Sequence, residues 1–114
     1  MDATTTVLRA LADPTRRAVL EQLALGEATV SSLTARFPVT QPAISQHLRV
    51  LRQAGLVVDR HDGRFVYYRA RPEGLGPMIA WVEQYEAFWR GRLAALATLL
   101  DEGMAHGEVG GDSE

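Results

Sequence analysis

Apolar positions recur at spacings of three and four through five stretches of this chain, and the clearest is TQPAISQHLRVLRQAGL, Thr40 to Leu56. Ile44, Leu48 and Leu51 there share one face of a helix and point to a core. Thr40 is a good N-cap, because its hydroxyl accepts from an orphaned backbone N–H two or three residues on. Pro42 suits the first turn, where a missing N–H costs nothing. Gly55 stands where a left-handed residue would end the helix. At about 100° per residue, Pro42, Ser45, Gln46, Arg49, Arg52 and Gln53 fall on the opposite side, with Gln41 at its margin. That face carries amides, a hydroxyl and two guanidiniums but no carboxylate. Such groups read base edges and bind phosphate. A merely solvated face would usually mix Glu with Arg, so the pattern favours a nucleic-acid partner.

The other stretches build around this one. Residues 1–4 show no packing pattern and are expected to fray. Val7, Leu8 and Leu11 fit a short helix. Asp13-Pro14 then reads as N-cap and first-turn proline of a helix from Pro14 to about Leu25, stopped by Gly26. Ala18, Val19, Leu20, Leu23 and Leu25 form its apolar side. Arg16 and Arg17 oppose the helix dipole in its first turn, which suggests either another partner, phosphate or acid, or simple solvation. Thr29 caps a third helix expected to reach Phe37, with Val30, Leu33 and Phe37 inward. A three-residue connection leads to the helix with the polar face, so the two form a helix-turn-helix.

From Leu56 the pattern changes. Val57, Val58, Phe65, Val66, Tyr67 and Tyr68 have strand propensity, and His61-Asp62-Gly63 between them predicts a hairpin turn. Arg60 and Arg64 flank its tip, where guanidiniums can reach phosphate or the minor groove. One of the paired tyrosines should face the core and the other outward. Pro72 ends the hairpin, and a long helix follows from about Leu75 to Asp101, with Gly76-Pro77 and Gly91 able to bend it. Met78, Val82, Tyr85, Trp89, Leu93, Leu96 and Leu100 give it an apolar stripe, widened by Trp81, Phe88 and Leu99. A helix of about 27 residues is about 40 Å long, more than a domain of this size covers alone. Part of the stripe, with its two tryptophans, should therefore pack on a second chain in a symmetric dimer. The expected architecture is mainly α with a small β-hairpin, a winged helix-turn-helix of order α-α-α-α-β-β-α. It occupies residues 5–103, and 104–114 form an acidic, disordered tail.

Composition narrows the function. The 114 residues suit one domain, and no apolar run reaches the roughly 18 residues of a membrane span. No basic-then-apolar leader opens the chain, which makes cytoplasm the expected compartment. With no cysteine there is no disulfide, thiolate metal site or cysteine nucleophile. The net charge of −2 hides an asymmetry: Arg9 to Arg71 carries ten Arg against five acids, and Pro72 to Glu114 carries two Arg against eight. A partner responds to the local field within about 8–10 Å, so the basic half is the half that suits DNA. No Gly-rich phosphate loop and no Ser–His–Asp grouping stands out, which argues against an enzyme. No cofactor is expected.

LADPTRRAVLEQLALGE, VTQPAISQHLRVLRQAGLV and DGRFVYYRA together resemble the ArsR/SmtB family of bacterial winged-helix repressors. The likeness runs from Leu8 to Arg71. AWVEQYEAFWRGRLAALATLL is similar to the long last helix of a subgroup without the family's metal sites. The resemblance implies a homodimeric repressor on an inverted repeat of double-stranded DNA, joined through its first and last helices. Thr40, Gln41, Pro42, Ser45, Gln46, Arg49, Arg52, Arg60 and Arg64 are then the DNA-binding candidates. Leu8, Leu11, Trp81, Tyr85, Phe88, Trp89, Leu96 and Leu100 are the candidates for the dimer interface. The family's thiolate motif would fall near Thr29 and Ser31, whose hydroxyls are poor ligands for soft metals. His47, His61 and His106 each look solitary, so no metal site is expected. The sequence reveals no small-molecule effector. Two alternatives remain: a winged-helix protein-interaction module, and a repressor that takes a small organic ligand in an aromatic pocket under Trp81, Phe88 and Trp89.

Overall fold

The computed structural model describes residues 2–111, with side-chain surroundings given through Gly103. The chain divides into two compact units, Met1–Ile79 and Ala80–Glu114. The first holds helices α1 (Ala3–Ala10), α2 (Pro14–Leu25), α3 (Val30–Thr34) and α4 (Gln41–Gln53), then strands β1 (Val57–Asp62) and β2 (Phe65–Ala70). A single 3-10 turn, Pro72–Leu75, leads to α5 (Gly76–Gly111), most of which is the second unit.

Each helix of the first unit begins on the cap its sequence supplies. The Asp13 carboxylate accepts from the N–H groups of Thr15 at 2.8 Å and Arg16 at 3.0 Å. Thr29 accepts from Ser32, and Thr40 from Ala43. The start of the chain departs from expectation: Asp2 accepts from Thr5 N–H at 2.7 Å, so α1 begins at Ala3. Thr4 donates to the Pro77 carbonyl. A capped first turn, not an apolar pattern, orders this segment.

Among the described residues Arg16 and Arg17 pair with backbone carbonyls rather than with an acid. Arg16 Nε donates to the Ala10 carbonyl at 2.7 Å and Nη2 to that of Arg9, while Arg17 Nη1 donates to that of Leu11. They satisfy the orphan carbonyls at the end of α1, where positive charge also suits the helix dipole. What looked unfavourable for α2 closes the helix before it.

The core is one cluster to which every helix of this unit contributes: Val7 and Ala10, Val19 and Leu23, Leu33, then Ile44, Leu48 and Leu51. Ala28, Leu56 and Val57 complete it. Leu25 does not join, being 84% exposed at the last position of α2. Helix α3 ends at Thr34 rather than Phe37, because Pro38 keeps Phe37 out of helical geometry. The chain tightens there through bonds from Arg36 N–H to Leu33 and from Phe37 N–H to Thr34. Gly55, at φ +77°, supplies the left-handed step that ends α4 and lets Leu56 return to the core.

Strands β1 and β2 are antiparallel, with Val57 opposite Ala70 and Asp62 opposite Phe65. The pairing extends past the expected turn, so Asp62 is a strand residue and Gly63-Arg64 form the tip. Tyr68 packs against the core, while Tyr67 lies on the other face of the hairpin. Ala28 adds a one-residue third strand, exchanging both backbone bonds with Tyr68 at 3.0 and 2.8 Å. A single residue with no alternating pattern leaves no mark that sequence reading could find.

The second unit is helical throughout its described length. Helix α5 opens at Gly76-Pro77, where proline is tolerated in a first turn. Gly91 sits inside it with open space beside its Cα. The helix runs to Gly111, past the Asp101 end expected. Of the tail expected at 104–114, the backbone through 111 is helical, and residues 112–114 lie outside the described residues.

Candidate nucleic-acid interface

Helix α4 buries Ile44, Leu48 and Leu51 and exposes Gln41, Pro42, Gln46, Arg49, Arg52 and Gln53. Ser45 is half-buried beside them. The polar face read from the spacing is thus the face turned to solvent. Between Glu27 and Asp59 the chain holds no acid, so the whole helix-turn-helix presents only Arg36, Arg49 and Arg52 as charges. Thr40 uses its oxygen lone pair to cap α4 and keeps its O–H proton for a further acceptor.

The four arginines expected to meet DNA fall into two pairs. Arg49 on α4 and Arg64 at the hairpin tip are exposed, with no carboxylate partner among the described residues. Arg64 lies 5.3 Å from the ring of Phe65, itself half exposed. The other two are engaged internally. Arg52 reaches over to Asp59 at 3.3 Å, so the acid missing from α4 is supplied by β1. His61 lies 3.6 Å from the same carboxylate. Arg60 grips Glu27 with two bonds, Nε to Oε2 at 3.0 Å and Nη2 to Oε1 at 2.5 Å, and lies 3.7 Å from Asp62. Its guanidinium covers the ring of Tyr67 at 4.6 Å. The paired hydrogen bonds hold the Glu27 carboxyl below its ordinary value of 4.5 and raise the guanidinium of Arg60. Arg52 and Arg60 therefore act first as internal ties of the hairpin. Sequence spacing did not reveal these ties, because Asp59 and Glu27 lie on other elements than Arg52 and Arg60.

Arg36 was missed. It projects from the connection between α3 and α4, held by neutral acceptors, Gln22 Oε1 at 3.0 Å and Ser32 Oγ at 2.9 Å. Such partners leave its full charge available to phosphate. The signal was present, since Arg36 is the only charged residue between Glu27 and Arg49. A cleft of about 250 Å³ separates the start of α3 from the hairpin tip, lined by Thr29, Ser31, Arg64 and Phe65. Thr29, where a thiolate motif would fall, is engaged as the cap of α3.

On α5 the apolar side chains nominated for a dimer are all open to solvent. Trp81, Tyr85, Phe88, Trp89, Leu96 and Leu100 are 41–56% exposed in the single chain. Trp81 stacks obliquely on Tyr85 at 4.7 Å, and Phe88 meets Trp89 edge-on at 5.7 Å. The recess on this helix is bounded by Gln84, Tyr85 and Phe88, not by the two tryptophans. In the first unit Leu8 is exposed, whereas Leu11 packs in part on its own core. Among the described residues no group of three His, Asp or Glu converges as metal ligands, and no helix is long and apolar enough to cross a membrane.

Residues 13–58, from the cap of α2 into the start of β1, match the model of the bacterial regulatory protein, arsR family. The chain is 43% identical over 93 residues to the HTH-type transcriptional regulator Rv2034 of Mycobacterium tuberculosis, covering 82% of this chain and 84% of that one. It is 33% identical over 110 residues to the arsenical resistance operon repressor of Escherichia coli, covering 95% and 90%. A solved ArsR-like transcriptional regulator from Rhodococcus superposes with a TM-score of 0.72 at 36% identity, covering 85% of this chain and 92% of that one. With a winged helix-turn-helix and relatives matched over most of their length, this chain belongs to the ArsR family of bacterial regulatory proteins.

Proposed function

We propose that this protein is a transcriptional repressor that binds an inverted-repeat operator as a homodimer, without a metal as its signal. The observation that carries the reading is the acid-free outer face of α4, with Gln41, Gln46 and Arg49 exposed beside a hairpin tipped by Arg64. Amide and guanidinium groups match adenine and guanine edges in the major groove, which admits one α-helix. Arg36 and Arg64 suit the backbone phosphates on either side. One chain contains one such helix, so reading two half-sites a turn apart, about 34 Å, takes two chains. The family relationship supports regulation of transcription over a protein-interaction role.

The metal-independent part rests on chemistry. A chain without cysteine has no thiolate to offer arsenite, cadmium or zinc. Arsenical resistance is named for one relative above, and that name is not carried over to this chain.

The test is a fluorescence-anisotropy titration of the DNA upstream of this gene at several salt concentrations, with and without zinc or arsenite. A saturable complex on one inverted repeat is expected, its affinity falling steeply with salt and unmoved by either metal. Binding that ignores both sequence and salt would falsify the operator reading. Release by stoichiometric zinc at micromolar concentration would overturn its metal-independent part.

A further inference from the structure

The hairpin tip carries Arg64, so where that guanidinium meets DNA depends on what aims the hairpin. Its base is fixed by Leu56 and Val57 in the core and by the two backbone bonds between Ala28 and Tyr68. Beyond Tyr68, among the described residues, residues 59–67 make backbone bonds only within the hairpin itself. Two ion pairs add polar side-chain ties, and they leave from opposite faces, since Asp59 and Arg60 are neighbours on one strand. Asp59 is drawn toward α4 by one contact with Arg52. Arg60 is drawn the other way, across Tyr67, onto both oxygens of Glu27 in the connection between α2 and α3. The fork geometry, with the guanidinium plane also set by the ring beneath it, restricts angle as well as distance.

We infer that Glu27 is the positioning residue of the wing: by anchoring Arg60 it sets the angle at which the hairpin presents Arg64 to the DNA backbone. The inference rests on the DNA-binding reading above. It also gives a sign that no bystander role shares. Glu27 is an acid near the basic surface, so its charge alone opposes DNA, and a bystander's neutralisation would tighten binding. If Glu27 aims the wing, neutralising it weakens binding.

The experiment compares operator binding and its salt dependence for wild type, Glu27→Gln, Arg60→Lys, Arg64→Ala, the double variant Glu27→Gln/Arg64→Ala and the charge swap Glu27→Arg/Arg60→Glu, with melting followed in parallel. Glu27→Gln should weaken binding about three- to tenfold and lower the salt slope by about one unit, the size of one phosphate contact. Arg60→Lys keeps the charge but loses the fork, and should fall the same way. The charge swap should recover most of the loss. The double variant should be no worse than Arg64→Ala, because both changes remove the same contact. Tighter or unchanged binding by Glu27→Gln, or strictly additive losses with Arg64→Ala, overturns the inference while the DNA reading stands. A wild type without salt-dependent operator binding overturns both.

Discussion

At the scale of single residues, side chains of one type on one face have different work according to partners that sequence spacing cannot show. Arg49 and Arg52 stand one turn apart on α4, and periodicity treats them alike. Only the fold brings Asp59 of β1 against Arg52 and leaves Arg49 open. Their substitutions should therefore separate. Arg49→Ala should weaken specific binding by about 1–3 kcal/mol and relax the choice of base at one position of the half-site. Arg52→Ala should change stability by less than about 1 kcal/mol, as exposed ion pairs do, and alter base preference little. Anisotropy against operators varied one base pair at a time measures both. Equal loss of discrimination by the two variants would mean that Arg52 leaves Asp59 when DNA arrives. A DNA-facing role for Arg36 predicts that Arg36→Ala weakens operator and unrelated DNA alike, because phosphate contacts carry no sequence information.

At the scale of elements, each helix start in the first unit follows its cap, and for all but α1 this was legible one residue at a time. Asp13-Pro14, Thr29 and Thr40-Pro42 mark the starts of α2, α3 and α4 to within a residue. Asp13→Ala should cost about 1 kcal/mol through the lost cap, read as a lower denaturant midpoint. The caps also fix the sign of a pH effect. Hydrogen bonds from the Arg16 and Thr5 N–H groups hold the Asp13 and Asp2 carboxyls below 3.8. Carboxyls depressed in the folded state bind fewer protons there than in the unfolded chain. Their contribution is present above about pH 4 and is lost as pH falls through their folded values. Urea midpoints between pH 6 and pH 3 should decline, and the decline should be shallower in Asp13→Asn. The ends of elements were less legible, for reasons specific to each. Helix α3 was read too long because Phe37 continues the apolar spacing, and periodicity does not weigh the Pro38 behind it. The hairpin turn was read as His61-Asp62-Gly63 because Asp-Gly is a strong signal, whereas cross-strand pairing carries His61 and Asp62 into β1. Gly74 left no signal at all. A Cβ there would stand 2.1 Å from the Gly55 carbonyl oxygen, so Gly74→Ala should push apart the end of α4 and the turn after β2. That change should destabilise the protein more than Gly76→Ala, where a Cβ meets open space.

At the scale of the whole molecule, the open question is what covers α5. From Phe88 round to Leu93 the large apolar side chains between Trp81 and Leu100 span about 140° of the helix circumference, wider than the narrow seam of a two-stranded coiled coil. They lie 41–64% exposed, and an apolar surface of this extent is the kind that a second chain covers. The helix is about 54 Å long over its 36 residues, ample to join two copies whose recognition helices must reach successive major grooves. The polar residues agree: Arg90 pairs with Glu86 one turn away and Arg92 lies over Phe88, leaving Val82, Trp89, Leu93, Leu96 and Leu100 without a charge among them. A symmetric dimer through this face predicts two graded outcomes. Trp89→Ala should lower dimer stability by about 3–5 kcal/mol if the ring is fully buried in the assembly, and association and folding can fall together. Leu96→Glu should be worse, because an unpaired carboxylate would be desolvated at the seam. Sedimentation at micromolar concentration, alongside operator binding, decides the matter. Wild type should run as a dimer and bind the full repeat, whereas Leu96→Glu should shift toward monomer and lose the repeat while keeping only weak half-site binding. A monomeric wild type that binds one half-site tightly would remove the need for a second chain. A Leu96→Glu variant that stays dimeric and active would move the interface off this stripe.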